Sequence, residues 1–240
     1  MADPATRLPV VFIHGIRASG TMWGPVAEMV GRERLVATPD LPGHGARRGE
    51  AFDLAGAVHA VSQAVDGLGG RALLVGLSLG GYAAIAAGAQ HPGRVAGIMA
   101  IGCSAEPTGL GLAAYRLFAA AMAHDPERGN RLSRRGFDRL LPPQAAAAMA
   151  AGGFSCEVMP AVVAALGRFR PLAALRGYPG PVWLVNGGLD QFRLHERRFL
   201  AACQDGRLAV WPGLTHLSTI AATSRLARAV RDACAVIEQR

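Results

Sequence analysis

The sequence predicts an α/β fold, a doubly wound and mostly parallel sheet with an inserted helical cap. Short apolar runs alternate along the chain with longer amphipathic stretches, the pattern of strand–helix–strand units. Most of these runs are apolar on successive residues, as a strand requires when helices cover both faces of its sheet. The interval 105–176 breaks the alternation and offers helical patterns only. The chain has 240 residues, of which 51% are hydrophobic and 18% charged. That suits one globular domain with a sizeable core and room for an insertion.

The elements follow in order. The runs Val10–His14, Arg34–Asp40, Ala72–Gly76, Val95–Gly102, Val182–Gly187 and Arg207–Gly213 read as strands. Between them Trp23–Val30, Leu54–Gly67, Leu79–His91, Glu196–Gln204 and Ser218–Glu238 read as helices. From Ala105 to Arg176 the helical patterns are interrupted at "HDPERGN", "LLPPQ", "AGGFS" and "GRFRP". A structureless loop of that length is implausible in a compact domain. The expected division is therefore a core of residues 1–104 and 177–240, with 105–176 as a helical lid over the C-terminal edge of the sheet.

Chemistry is carried first by "GLSLGG", where Ser78 has glycine two residues to either side. With 31 glycines among 240 residues, roughly 0.13 of the 8 serines would show that pattern by chance, so the motif needs partners. Its context supplies them. An apolar run precedes Ser78 and a helix follows, the strand–turn–helix setting that lifts a serine oxygen clear of the backbone. A serine hydroxyl is a weak nucleophile until a base takes its proton and a third group orients that base. Asp190, in "GGLDQF", follows the strand at 182–187, and His216, in "LTHLS", follows the strand at 207–213. All three lie at C-terminal strand ends, where open α/β sheets bind ligands. After the first strand, "FIHGIRASG" places the Ile16 amide where a turn aims it at a developing oxyanion; the Leu79 amide, after the nucleophile, is the second donor.

On these motifs the chain resembles the α/β-hydrolase fold serine hydrolases, in their capped esterase or thioesterase-like branch. "HGIRAS" resembles the oxyanion loop, "DLPGHG" a turn after the second strand, "GLSLGG" the nucleophile elbow, and "GGLDQF" and "LTHLS" the acid and histidine loops. The resemblance spans essentially the whole chain and implies a Ser78–His216–Asp190 triad, with a cap shaping the pocket. The expected activity is cleavage of a carboxylester, thioester or lactone through an acyl-enzyme. The same Ser–His pair also fits carbon–carbon bond hydrolysis or a non-hydrolytic lyase acting on a carboxylate. A ligand receptor built on the fold is a third reading. A serine in the nucleophile position disfavours the epoxide-hydrolase and dehalogenase branches, which carry aspartate there.

The remaining residues are read more plainly. His14 and His44 are taken as loop-bracing or structural, and Asp40 as a turn residue bonding its own loop. Arg17 follows the first oxyanion residue, and is read either as a surface arginine or as a clamp on a substrate carboxylate or phosphate. No His, Asp or Glu spacing suits a metal ion, and no cofactor is expected. The formal net charge is +8, and all 25 basic residues are arginine. They are dispersed and lack the aromatic interleaving of a nucleic-acid surface, so no nucleic-acid partner is expected. Nine arginines against five acids fall within 105–176, an excess that could steer anionic substrates. No apolar run is of membrane length and no signal segment is visible. Cys103, Cys156, Cys203 and Cys234 share no ligand spacing and read as reduced thiols in a cytoplasmic protein.

Overall fold

The computed structural model describes residues 6–240. Strands β1 (Val10–Ile13), β2 (Val36–Ala37), β3 (Ala72–Leu77), β4 (Val95–Ile101), β5 (Pro181–Gly187) and β6 (Asp205–Trp211) form one sheet in the order β2-β1-β3-β4-β5-β6. Every neighbouring pair is parallel. All six C-terminal ends therefore open on the same edge. β1, β3 and β4 are buried at every position, which is why their sequences are continuously apolar.

The second strand is shorter than Arg34–Asp40. Only Val36 and Ala37 pair, opposite Val10 and Val11. Pro39 has no N–H to extend a ladder. Asp40 is turned aside, its two carboxylate oxygens accepting from the Gly20 and Ala46 amides at 2.7 and 2.8 Å.

Helices cover both faces. On one side α1 (Gly24–Gly31) packs with the C-terminal helix, and Phe12, Trp23, Val26, Val75 and Val230 fill the space between them and the sheet. On the other lie α2 (Leu54–Asp66) and α3 (Leu79–Gln90), over Val11, Ile13, Leu74 and Ile98. Fully burying each such side chain stabilises the fold by about 1.5–3 kcal/mol. α3 is buried around almost its whole circumference, as its alanine- and glycine-rich sequence allows.

Between β4 and β5 run α4 (Gly109–His124), α5 (Pro126–Leu140), α6 (Pro143–Ala151), α7 (Met159–Arg168) and α8 (Pro171–Gly177). Asp125 caps α5 by accepting from the Arg128 amide at 2.9 Å, with Pro126 at the first helical position. α4 lies along α7 and α5 around a small cluster of Ala119, Cys156, Met159 and Val163. α6 rests on the turn Gly20–Trp23, whereas α8 packs on α3 and on α9 (Glu196–Ala202) in the layer that flanks the sheet.

The C-terminal helical stretch is two helices rather than one. Ala222, at ψ 52°, separates α10 (Ser218–Ala221) from α11 (Thr223–Glu238). The bend lets α10 stay with the loop after β6 while α11 docks on α1. The end of α11 is fixed by Glu238, which accepts from the Leu8 amide at 2.8 Å and pairs through both oxygens with the buried Arg34 guanidinium. That guanidinium holds the Glu238 carboxyl below its ordinary pKa.

Candidate active site

Ser78 is the single residue between the end of β3 and the start of α3. Its backbone, at φ 53° and ψ −113°, is in a region that costs a non-glycine residue on the order of 1–3 kcal/mol. The surroundings hold it there. Its N–H donates to Ile101 O at 2.8 Å, and its carbonyl accepts from the Gly81 and Tyr82 amides at 3.0 and 3.1 Å. The flanking glycines permit the reversal. A Cβ on Gly76 would lie 2.2 Å from the Gly80 carbonyl, and one on Gly80 would lie 2.1 Å from Ile13 O. The chain can turn this sharply only because neither position carries a side chain.

His216 follows β6, and Asp190 follows β5. The structure joins them, His216 Nδ1 to Asp190 Oδ2 at 2.9 Å, with both side chains nearly out of solvent. With Nδ1–H donated to the carboxylate, Nε2 carries the lone pair. The other oxygen of Asp190 accepts from the Phe192 amide at 2.8 Å. The Phe192 ring meets the His216 ring edge-on at 4.8 Å and covers the pair. The acid loop is braced from outside. Arg193 makes a double contact with Glu196 at 2.9 and 2.6 Å and reaches Gly188 O at 2.9 Å, while Asn186 bonds Glu196 at 3.1 Å. Arg193 keeps the Glu196 carboxyl below its ordinary pKa.

Ser78 and His216 line one cavity of about 380 Å³, without a hydrogen bond between them among the described residues. Serine–base contacts of this kind commonly tighten only when substrate is bound. Leu79 opens α3, so its amide has no carbonyl within the helix to reach. Ile16 lies inside a turn closed by Ala18 N–H to Gly15 O at 3.3 Å, which leaves the Ile16 amide out of that bond. Ile16, Leu79 and Ser78 line a second cavity of about 520 Å³, and Ile16 and Ser78 border both.

Beneath the Ile16 loop sit two buried imidazoles. His14 accepts from the Leu41 amide through Nε2 at 2.9 Å and contacts Gly15 O through Nδ1, also at 2.9 Å. It thereby ties the loop after β1 to the loop after β2. His44 lies 4.8 Å from His14, ring to ring, and contacts Pro42 O at 2.9 Å. Burial lowers the pKa of both, that of His44 to about 3. Both are neutral supports of the loops, and Asp40 is committed to backbone amides.

Arg17 lines the 380 Å³ cavity. Its backbone is also left-handed, at φ 59°; with Ser78 it makes the pair of non-glycine residues with positive φ among the described residues. Its guanidinium lies over the rings of Phe137 and Phe118, at 5.1 and 5.7 Å, and donates to Ser133 Oγ at 3.3 Å. Two further residues at the site carry no sequence signal. Gly102, at φ +58°, lies so close that a Cβ would stand 2.6 Å from His216 Nδ1 and 2.7 Å from Asp190 Oδ2. His195, the residue before α9, lines the second cavity and accepts from the Glu106 amide at 3.0 Å. No group of three or more His, Cys, Asp or Glu among the described residues is placed to hold a metal ion. No single helix among them is long and apolar enough to cross a membrane.

This arrangement of sheet, elbow and hydrogen-bonded His–Asp pair defines a class, and comparison with known proteins agrees with it. Residues 10–229 match the alpha/beta hydrolase family, and the chain belongs to it. Over 104 residues it is 32% identical to a monoacylglycerol lipase of Xenopus laevis, covering 41% of this chain and 31% of the lipase. Over 87 residues it is 36% identical to the pimeloyl-[acyl-carrier protein] methyl ester esterase of Nitrosomonas europaea, covering 36% of this chain and 33% of the esterase. The matched stretches thus span about a third of each relative's length. A carboxylesterase structure from the thaumarchaeon Nitrososphaera gargenis superposes with a TM-score of 0.81 at 19% identity, over 100% of this chain and 93% of that one. At that identity the likeness is one of fold.

Proposed function

We propose that this protein is a serine hydrolase that cleaves a carboxylester, thioester or lactone through an acyl-enzyme. The observation that carries the reading is the hydrogen bond of Asp190 to His216, which shares the wall of one cavity with the strained Ser78. In this reading Ser78 Oγ attacks the carbonyl carbon while His216 Nε2 takes the hydroxyl proton. The carbonyl π electrons move to oxygen, and the Ile16 and Leu79 amides stabilise the oxyanion. Collapse expels the alcohol, thiol or lactone oxygen, which leaves with the proton held on His216. Water, deprotonated by the same imidazole, then attacks the acyl-enzyme and frees Ser78. Asp190 fixes the imidazole tautomer and stabilises the imidazolium.

Helices from 105–176 serve as the cap in this reading, supported by Tyr115 and Phe118 of α4, Phe137 and Leu140 of α5 and Met149 of α6, which line the cavity. A reducing, cytoplasmic setting belongs to the same proposal and is supported by four free cysteines, three of them buried. The test is turnover of p-nitrophenyl acetate and butyrate, together with labelling by a fluorophosphonate probe. Wild type should turn over both esters and carry the probe on Ser78. Ser78→Ala should lose at least about 10³-fold in kcat. Retained turnover in that variant overturns the assignment.

A further inference from the structure

The two cavities that meet at Ser78 differ in charge. Among the described residues Arg17 is the cation of the 380 Å³ cavity, and no Asp or Glu lines it. The 520 Å³ cavity instead contains Glu106, already paired with Arg198 at 2.6 Å. Among the described residues Arg17 has no carboxylate partner, although it is half-buried in a mostly apolar wall. Such a cation is costly unless its N–H groups find acceptors. The guanidinium carbon lies over the rings of Phe118 and Phe137, Ser133 accepts from one of its nitrogens, and the Cys156 thiol is a second polar neighbour. None of these neutral groups supplies the paired anionic oxygens that the planar fork of a guanidinium matches in a carboxylate. The backbone adds an independent argument. Position 17 is left-handed, where glycine would be free of strain, yet it carries a long charged side chain in the cavity shared with the other strained residue, Ser78.

We propose that the Arg17 cavity binds a carboxylate carried by the substrate at a distance from the bond that Ser78 cleaves, so that the preferred substrates are half-esters of dicarboxylic acids or esters of hydroxy acids. The inference rests on the serine-hydrolase reading, which hydrolysis of neutral esters tests separately. Two probe series locate the charge. One compares p-nitrophenyl half-esters of straight-chain diacids with p-nitrophenyl esters of monoacids of equal length, placing the carboxylate on the acyl arm. The other compares 4-acetoxybenzoate with phenyl acetate, placing it on the leaving group. Wild type should prefer the charged member of one series by about tenfold or more in kcat/KM at the best chain length. Arg17→Met should reduce that charged-to-neutral ratio by about 10–100-fold, mainly through KM, and Arg17→Lys should retain part of it. A wild-type preference for the neutral member of both series overturns the proposal. So does a ratio that Arg17→Met leaves unchanged, since an arginine that only braced the cap would alter charged and neutral substrates alike.

Discussion

At the scale of single residues, the geometry of the candidate site depends on an atom that is missing. Gly102 directly follows β4, its N–H bonded to Val185 O at 2.9 Å, and its bare Cα faces the His216–Asp190 pair. A methyl group there would have to displace the imidazole or the carboxylate, and the φ of +58° would resist it as well. Misplacing a catalytic group by an ångström can cost on the order of 10²-fold. Gly102→Ala should therefore fold, yet lose about 10²-fold in kcat with little change in KM; unchanged kcat would contradict this account. Ser78, Asp190 and His216 were legible as candidates because each follows a strand in the sequence. Gly102, Phe192 and His195 were not, because what constrains them comes from other loops brought together by the sheet order. A glycine after a strand looks like any of the chain's other glycines until its neighbours are known.

Among the elements, the docking of α3 on β1 is the tightest constraint. Gly80 lies in the first turn of α3 against the backbone of Ile13 and His14, and backbone cannot move aside as a flexible side chain can. Gly80→Ala should destabilise the fold by about 3 kcal/mol, the upper end for overpacking. In a chain of this length that lowers Tm by roughly 10 °C. A thermal melt within a few degrees of wild type would show that the helix can shift without penalty. The parallel sheet was legible from continuous apolar runs, but element boundaries were less so. The apolar run around Val36 looks like a full strand, yet pairing stops where Pro39 has no donor. The break at Ala222 was hidden because α10 and α11 share one amphipathic pattern, while only their docking partners differ. The helices of 105–176 pack partly on one another and partly on α3 and α9, a distinction that periodicity does not carry.

For the whole molecule, stability should depend on pH through the buried imidazoles. An unfolded histidine titrates near 6.5, whereas burial, together with its neighbour His14, lowers His44 to about 3. Its Nε2 is buried without a hydrogen-bond partner among the described residues, so protonation there would bury an unmatched donor. The contribution is complete above about pH 6.5. Below that the unfolded chain binds the proton first, and stability falls by about 1.4 kcal/mol per pH unit until the folded pKa is reached. Between pH 6.5 and 5 this amounts to about 2 kcal/mol, with His14 acting in the same direction. Urea denaturation at pH 7 and pH 5 checks it: wild type should lose about 2 kcal/mol more than His44→Asn, and equal losses would refute the assignment. The two-residue length of β2 has a consequence at this scale too. An edge strand is a template on which a neighbouring chain can add its own strand. At this edge, among the described residues, only Val36 and Ala37 pair, and Pro39 has no N–H to carry the ladder on. At the other edge β6 begins with Asp205 held by Arg207 and Arg240, and Arg207 lies over the Trp183 ring at 5.1 Å. One margin is short and the other opens on paired charges, the two devices by which sheets rich in valine, isoleucine and leucine discourage edge-to-edge addition.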